Sequence, residues 1–510
     1  MNISSWVSRC PGFLRRPLAR VLATPLGGRL ARGAFWSLLG TSLSKGLATL
    51  SWIIAGRMLG KESFGELNMV QNTVGLFGAA AGLGMGMAAA KYVAEYRRTD
   101  PARAGRFIGL AGAATWITSG VLALALWLLA PWLARETLGA PHLASWLALS
   151  SLLLFFSGVA GAQQGVLAGF EAFKSIAVIS IATGLVSFPL LLLGAHWGGV
   201  LGALWALIAA ALLNCLLNFI HLRRHARAQH IVIGIRGCLS EARVFWDFNL
   251  PGMLNTLLSA AAVWAVGAML VRHSSSFGGL GIYNAVQRMK LVPENMAAML
   301  LAPMLPVLSE TFARKDMAAY GRTLRVSYTV AGLVIIPAAL VQISAPWLTL
   351  LPFGAEYRSG EPLVLWIMLT TLTYALLWPM GNIFISMGRI WFALLVGTLH
   401  NALICGLAWW LIPRQGAAGL ALAAAVSLML ANVPSVLLLK KNFPGLLREV
   451  RWGRMTALVL ALVLVCEGSW HFFTPAQALL TGLAAAGAFV FWLLPHGTPP
   501  ARAELPVQML

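Results

Sequence analysis

The chain has 510 residues, 59% of them hydrophobic and only 10% charged, and Lys and Arg outnumber Asp and Glu 37 to 16, for a formal net charge of +21. In a soluble protein that excess of base would point to nucleic acid, but the apolar fraction excludes an ordinary soluble domain, and the basic residues fall almost entirely in every second loop. The pattern is that of a polytopic all-α protein of an inner-type membrane, with no nucleic-acid partner.

In chain order, residues 1–32 carry Arg9, Arg15, Arg16, Arg20, Arg29 and Arg32 with no acid, interrupted by Pro11, Pro17 and Pro25. This reads as a basic segment on the membrane surface. The prolines and the lack of a Ser-rich amphipathic helix disfavour a transit peptide, and a first apolar run already of span length disfavours a cleaved secretory signal. About fourteen apolar stretches of about 20 residues follow, each long enough to cross roughly 30 Å of hydrocarbon. They run near 33–56, 64–90, 107–133, 143–168, 174–195, 198–220, 246–271, 279–307, 324–345, 362–386, 389–413, 416–439, 455–473 and 476–495. Arg97, Arg98, Arg103 and Arg106, then Arg223, Arg224, Arg227, Arg236 and Arg243, then Arg314, Lys315, Arg322 and Arg325, then Lys440, Lys441, Arg448, Arg451 and Arg454 lie on one side with the head. The other side offers Arg57, Lys61, Arg135, Arg272, Arg358 and Arg414. This bias of roughly four or five to one places both termini in the cytoplasm.

Chemistry-bearing motifs are missing. Cys10, Cys215, Cys238, Cys405 and Cys466 show no CxxC spacing, so neither a disulfide framework nor a metal site follows. No zincin, nucleophile-elbow, P-loop or dinucleotide signature stands in a suitable context, so no cofactor and no catalytic residue are expected. If the protein moves something uphill, it does not burn ATP itself.

An internal repeat organises the spans. Phe64 to Asn72 in the second span reads against Leu280 to Arg288 in the eighth, matching Gly, Asn, Val and Gln at a constant offset of 216. An offset of six helices makes the repeats parallel, about an axis along the membrane normal. The expected division is a basic segment 1–32, a first lobe 33–220 with helices 1–6, a cytoplasmic linker 221–245, a second lobe 246–440 with helices 7–12, and 441–510 with helices 13 and 14 and a cytoplasmic tail.

Polar residues inside the spans mark where the lobes work. At about 100° per residue, Asn284, Arg288 and Asn295 share one face of the eighth helix, and Gln287, Lys290 and Glu294 share the adjoining one. The second helix presents Asn68, Gln71 and Asn72, and Lys45 sits deep in the first. Intramembrane charge is expensive, so these positions suggest a cationic, amide-lined cavity between the lobes. Glu294 can neutralise Lys290 at i,i+4, yet Arg288 and Lys45 remain without an acid in the surrounding spans, which favours an anionic ligand. Pro293 is either a gating kink or a packing kink. Gln163, Gln164, Asn214, Asn218, Asn255, His400 and Asn401 read first as glue between helices, and Glu467 is a lone acid in the thirteenth span.

Several segments resemble a known family. Gly56-Arg57-Met58-Leu59-Gly60 followed by Phe64-Gly65, Gly84, and Ala90 to Tyr96 is similar to the start of Wzx-type oligosaccharide or polysaccharide flippases. Gly281 to Ala285, Pro352 to Tyr357, Gly388-Arg389, Leu411-Ile412-Pro413 and Gly416 to Gly419 continue the resemblance in order, over about residues 33–440. The resemblance implies the multidrug/oligosaccharidyl-lipid/polysaccharide exporter superfamily, two six-helix lobes around a central cavity plus two C-terminal helices. It implies flipping of an undecaprenyl-diphosphate-linked glycan across a bacterial inner membrane for O-antigen, capsule or exopolysaccharide synthesis, with polymerase and chain-length proteins as partners beside membrane lipid. Lys45, Arg288, Lys290, Asn68, Asn72 and Asn284 would then bind substrate, and Glu294 would couple a proton or sodium ion. The alternatives are a lipid II flippase, whose loss should be lethal on its own, and an ion-coupled drug or metabolite antiporter, which would more often want acids in its cavity. A glycosyltransferase or polymerase should carry a large extracytoplasmic loop, which this chain lacks.

Overall fold

A computed structural model describes residues 25–81, 85–234, 242–301, 304–443, 445 and 451–496. Most of the basic head, part of the linker between the lobes and the tail after residue 496 lie outside the described residues. The helices are α1 (Pro25–Ala81), α2 (Met85–Tyr96), α3 (Pro101–Trp132), α4 (Leu143–Gly169), α5 (Phe173–Ala228), α6 (Ala242–Ser274) and α7 (Gly278–Leu301). They continue with α8 (Met304–Ala313), α9 (Met317–Ser344), the short α10 (Pro346–Leu350), α11 (Glu361–Ser386), α12 (Ile390–Asn442), α13 (Trp452–Phe472) and α14 (Pro475–His496). No strand occurs among the described residues. A helix satisfies its own backbone, which hydrocarbon requires. Apolar side chains accordingly face outward, with Trp197 and Phe491 each 78% and Leu464 74% exposed.

Among the described residues nine helices are long and apolar enough to span a bilayer, or eleven if each of two bent pairs is one span. Three helices contain a non-helical glycine, α1 at Gly60, α5 at Gly199 and α12 at Gly416, and each therefore folds back as two spans. Dividing them there and joining α1 to α2 and α7 to α8 yields the expected fourteen spans. The second and eighth spans are bent, by 42° between Ala81 and Met85 and by 41° between Leu301 and Met304. Pro293 stays inside α7, so the break in the eighth span lies beyond it.

The sequence offset returns in the backbone. Gly199 (φ 54°, ψ −134°) and Gly416 (φ 55°, ψ −129°) adopt one conformation at positions 217 apart. Asp100 caps α3 by accepting from Arg103 N at 2.9 Å, and Asp316, 216 positions on, caps α9 by accepting from Ala319 N at 2.9 Å. Both carboxylates satisfy an orphan amide of the first turn. The two C-terminal helices, α13 and α14, pack against each other and on α9, where Phe489 and Leu493 close over Gly332.

The copies of the repeat meet directly. A Cβ on Gly65 would lie 2.0 Å from Phe277 O, and one on Gly281 would lie 2.0 Å from Lys61 O. Each glycine thus rests on the carbonyl four residues before the other, a reciprocal crossing expected at a two-fold axis. Beside it Phe64 packs on Trp52, Phe353 and Tyr357, with ring centroids 6.1, 6.1 and 6.3 Å apart, and the Tyr357 hydroxyl donates to Gly56 O at 2.8 Å. The Glu62 carboxylate accepts from Ser276 Oγ at 2.7 Å and Phe277 N at 2.8 Å. Segments scattered over 300 residues of sequence therefore build one closure between the lobes.

Candidate functional site

From the glycine crossing, α7 runs antiparallel along the first half of α1. Ser42, Lys45, Thr49 and Trp52 recur at helical spacing and so share one face of α1. Arg288 lies over the Trp52 ring, its guanidinium carbon 4.3 Å from the centroid, and its Nη2 donates to Asn68 Oδ1 at 3.4 Å. Seven residues further along α7, Asn295 Oδ1 accepts from Lys45 Nζ at 2.7 Å. Ser42 Oγ then meets Met299 Sδ at 3.6 Å. A step of seven residues is about 10 Å along a helix, so the two cations form rungs of one seam. Asn68 is buried, Arg288 half-buried and Lys45 exposed.

Among the described residues neither cation faces a carboxylate. Arg288 has an amide oxygen and an aromatic face, an arrangement that shields the charge while leaving guanidinium N–H groups for a further acceptor. Asn68 Nδ2 is spent on Phe64 O at 2.7 Å and Asn284 Nδ2 on Leu280 O at 2.9 Å, the same i−4 bond in both copies of the repeat. Asn72 is directed toward α6, with its Nδ2 3.6 Å from where a Cβ on Gly267 would sit. Asn284 thus spends its amide nitrogen within α7, and Asn72 stands beside α6.

Lys290 is placed elsewhere. Its Nζ lies 3.6 Å from Glu294 Oε1, both side chains largely buried, and Glu294 Oε1 has no hydrogen-bond partner among the described residues. Thr371 stands beside the carboxyl, with Tyr374 of α11 and His400 of α12 near the pair. The pair therefore stands toward α11 and α12 of the second lobe, on the face of α7 that adjoins the one carrying Arg288.

Of the weaker sequence candidates, Gln163 Oε1 and His400 Nδ1 are buried without a hydrogen-bond partner among the described residues. Asn218 bonds Asn214 at 2.7 Å along one helix, Asn401 donates to Ser259 of α6 at 3.2 Å, and Glu467 pairs with His471 at 3.2 Å. Trp52 escaped the sequence reading, although its place seven residues after Lys45 was the available signal. An apolar groove of about 330 Å³ between α11, α12 and α13, lined by residues such as Leu372, Val436 and Leu460, touches none of the seam cations.

The profile of a family described as polysaccharide biosynthesis protein matches residues 30–312. A search of curated proteins finds no match. Among solved structures, the chain is similar to lipid II flippase MurJ in an inward closed conformation, at 14% identity and TM-score 0.67 over 89% of this chain and 98% of that one. It is also similar to an inward-facing multidrug resistance MATE family transporter of the MOP superfamily, at 15% identity and TM-score 0.64 over 84% and 98%. The MATE multidrug transporter DinF-BH matches at 17% identity and TM-score 0.63 over 82% and 96%. At these identities the likeness establishes the fold, two six-helix lobes around a central cavity with two further C-terminal helices. With the profile covering more than half of its length, the chain belongs to the polysaccharide biosynthesis protein family.

Proposed function

We propose that the chain flips an undecaprenyl-diphosphate-linked oligosaccharide from the cytoplasmic to the outer leaflet of a bacterial inner membrane, by alternating access, for surface polysaccharide synthesis. The observation that carries this reading is the seam of two cations, Arg288 and Lys45, held by neutral amides and a ring instead of by acids. A bare diphosphate crossing hydrocarbon would pay a prohibitive desolvation penalty. Arg288 supplies a fork matched to phosphate oxygens and Lys45 a mobile point charge, while the prenyl tail stays in lipid. Asn68 positions the guanidinium, and Asn72 and Asn284 are the proposed contacts for the sugar. The loop charges put both termini in the cytoplasm. Glu294, buried beside Lys290, is the proposed proton or sodium site, so Lys290 serves coupling and not the headgroup.

The test is leaflet-resolved detection of lipid-linked oligosaccharide in cells lacking the protein and in cells with Arg288→Ala at normal abundance. Accumulation on the cytoplasmic face is expected in both, with flipping by the variant reduced on the order of 100-fold, as for loss of a buried charged contact. Unchanged distribution in the null cells would overturn the function in favour of a drug or metabolite antiporter. Lethality of the null with loss of peptidoglycan precursor export would move it to lipid II.

A further inference from the structure

The two rungs of the seam are reciprocal. Lys45 belongs to the first copy of the repeat and donates to Asn295 of the second; Arg288 belongs to the second and donates to Asn68 of the first. Each cation is thus held by a neutral amide oxygen from the opposite lobe. An anionic oxygen adds a full Coulomb attraction to the hydrogen bond that a neutral amide oxygen offers a cation, and the attraction grows away from bulk water. An anion entering the seam therefore offers both cations a better acceptor, and in taking it they let go of the other lobe.

We propose that Asn68 and Asn295 latch the lobes, and that a phosphate-bearing headgroup releases the latch by displacing both amide oxygens from Arg288 and Lys45. The inference rests on the flippase reading and adds to it how the empty protein is kept from rocking. Aspartate in either position would hold its cation against the incoming anion, because the anion would first have to break an ion pair. An amide yields. The Trp52 ring keeps Arg288 in place throughout, since a face-on contact does not compete for the N–H groups. At the other end of α7 the lobes are joined by the Gly65 and Gly281 crossing and by Glu62, which accepts from Ser276 and Phe277. No seam cation takes part in that closure, so the anion frees one end of the seam and leaves the other joined. Ligand binding then acts as a population shift, from a latched empty state to an unlatched loaded one.

The experiment uses the full chain in lipid nanodiscs, its five native cysteines replaced, with spin labels at Arg98→Cys and Ala318→Cys, exposed positions near the ends of α2 and α9. Distance distributions are recorded with and without farnesyl diphosphate, whose binding is measured in parallel. The probe is expected to raise the longer-distance population of the wild type. Asn68→Ala with Asn295→Ala should show that population raised about tenfold before any probe is added, as loss of bonds to charged donors implies. Asn68→Asp with Asn295→Asp should do the opposite, binding at least about tenfold more weakly and no longer responding. If the alanine variant keeps the wild-type distribution and still responds to the probe, the latch is overturned and the flippase reading stands. If Lys45→Ala with Arg288→Ala binds the probe as wild type does, the cationic site itself fails, and the latch with it.

Discussion

Arg288 has its charge balanced by geometry, stacked on Trp52 and bonded to Asn68. A desolvated cation–π contact is worth about 2 kcal/mol, so Trp52→Leu is expected to lower stability by about 1–2 kcal/mol and Trp52→Phe by less, read by thermal unfolding in detergent. The Lys290 and Glu294 pair differs, being an ion pair inside the second lobe. Removing one partner of such a pair costs about 3–5 kcal/mol, whereas removing both into apolar residues is nearly neutral. Glu294→Met and Lys290→Met should each destabilise more than the double variant does, and a double-mutant cycle with a coupling energy below about 0.5 kcal/mol would reject the pairing. If Glu294 couples an ion, Glu294→Gln should in addition abolish the ion dependence of transport while the protein remains folded.

Among elements, the turns between paired spans are the most exacting. Gly199 and Gly416 hold φ of 54° and 55° with strongly negative ψ, a region that side chains of L-residues avoid. Alanine at either position should cost about 1–3 kcal/mol, and because the two turns are repeats of one another the two penalties should agree within measurement error. The α1 and α7 crossing is constrained by contact, with no room for a Cβ on Gly65 or Gly281. Gly65→Leu or Gly281→Leu is expected to force that end of the lobes apart at a penalty of about 1–3 kcal/mol. Accessibility of cysteines placed at Ser63 or Gly279 to a membrane-impermeant thiol reagent should rise accordingly.

For the molecule as a whole, the seam predicts that tying α1 to α7 stops the cycle. Ser42 meets Met299 at 3.6 Å, so Ser42→Cys with Met299→Cys should be bridged by a short cleavable thiol-reactive linker, with flipping lost on bridging and restored on cleavage. Full flipping by the bridged protein would show that the lobes do not part along this seam. Much of this architecture was legible beforehand. Span count, loop charge and the 216-residue offset are local or periodic properties, written in the hydropathy of about 20 residues at a time and in residue spacing. The placement of Arg288, Lys290 and Glu294 on adjoining faces of α7 was equally readable, because helical periodicity fixes which residues share a face. What each face meets is another matter. That Arg288 finds Trp52 and Asn68, that Lys45 finds Asn295, and that Lys290 turns with Glu294 toward α11 and α12 follow from how helices more than 70 residues apart in sequence cross and bend. Those crossings are set by close approach at Gly65 and Gly281 and by the aromatic packing around Phe64, contacts between distant segments that no local pattern encodes.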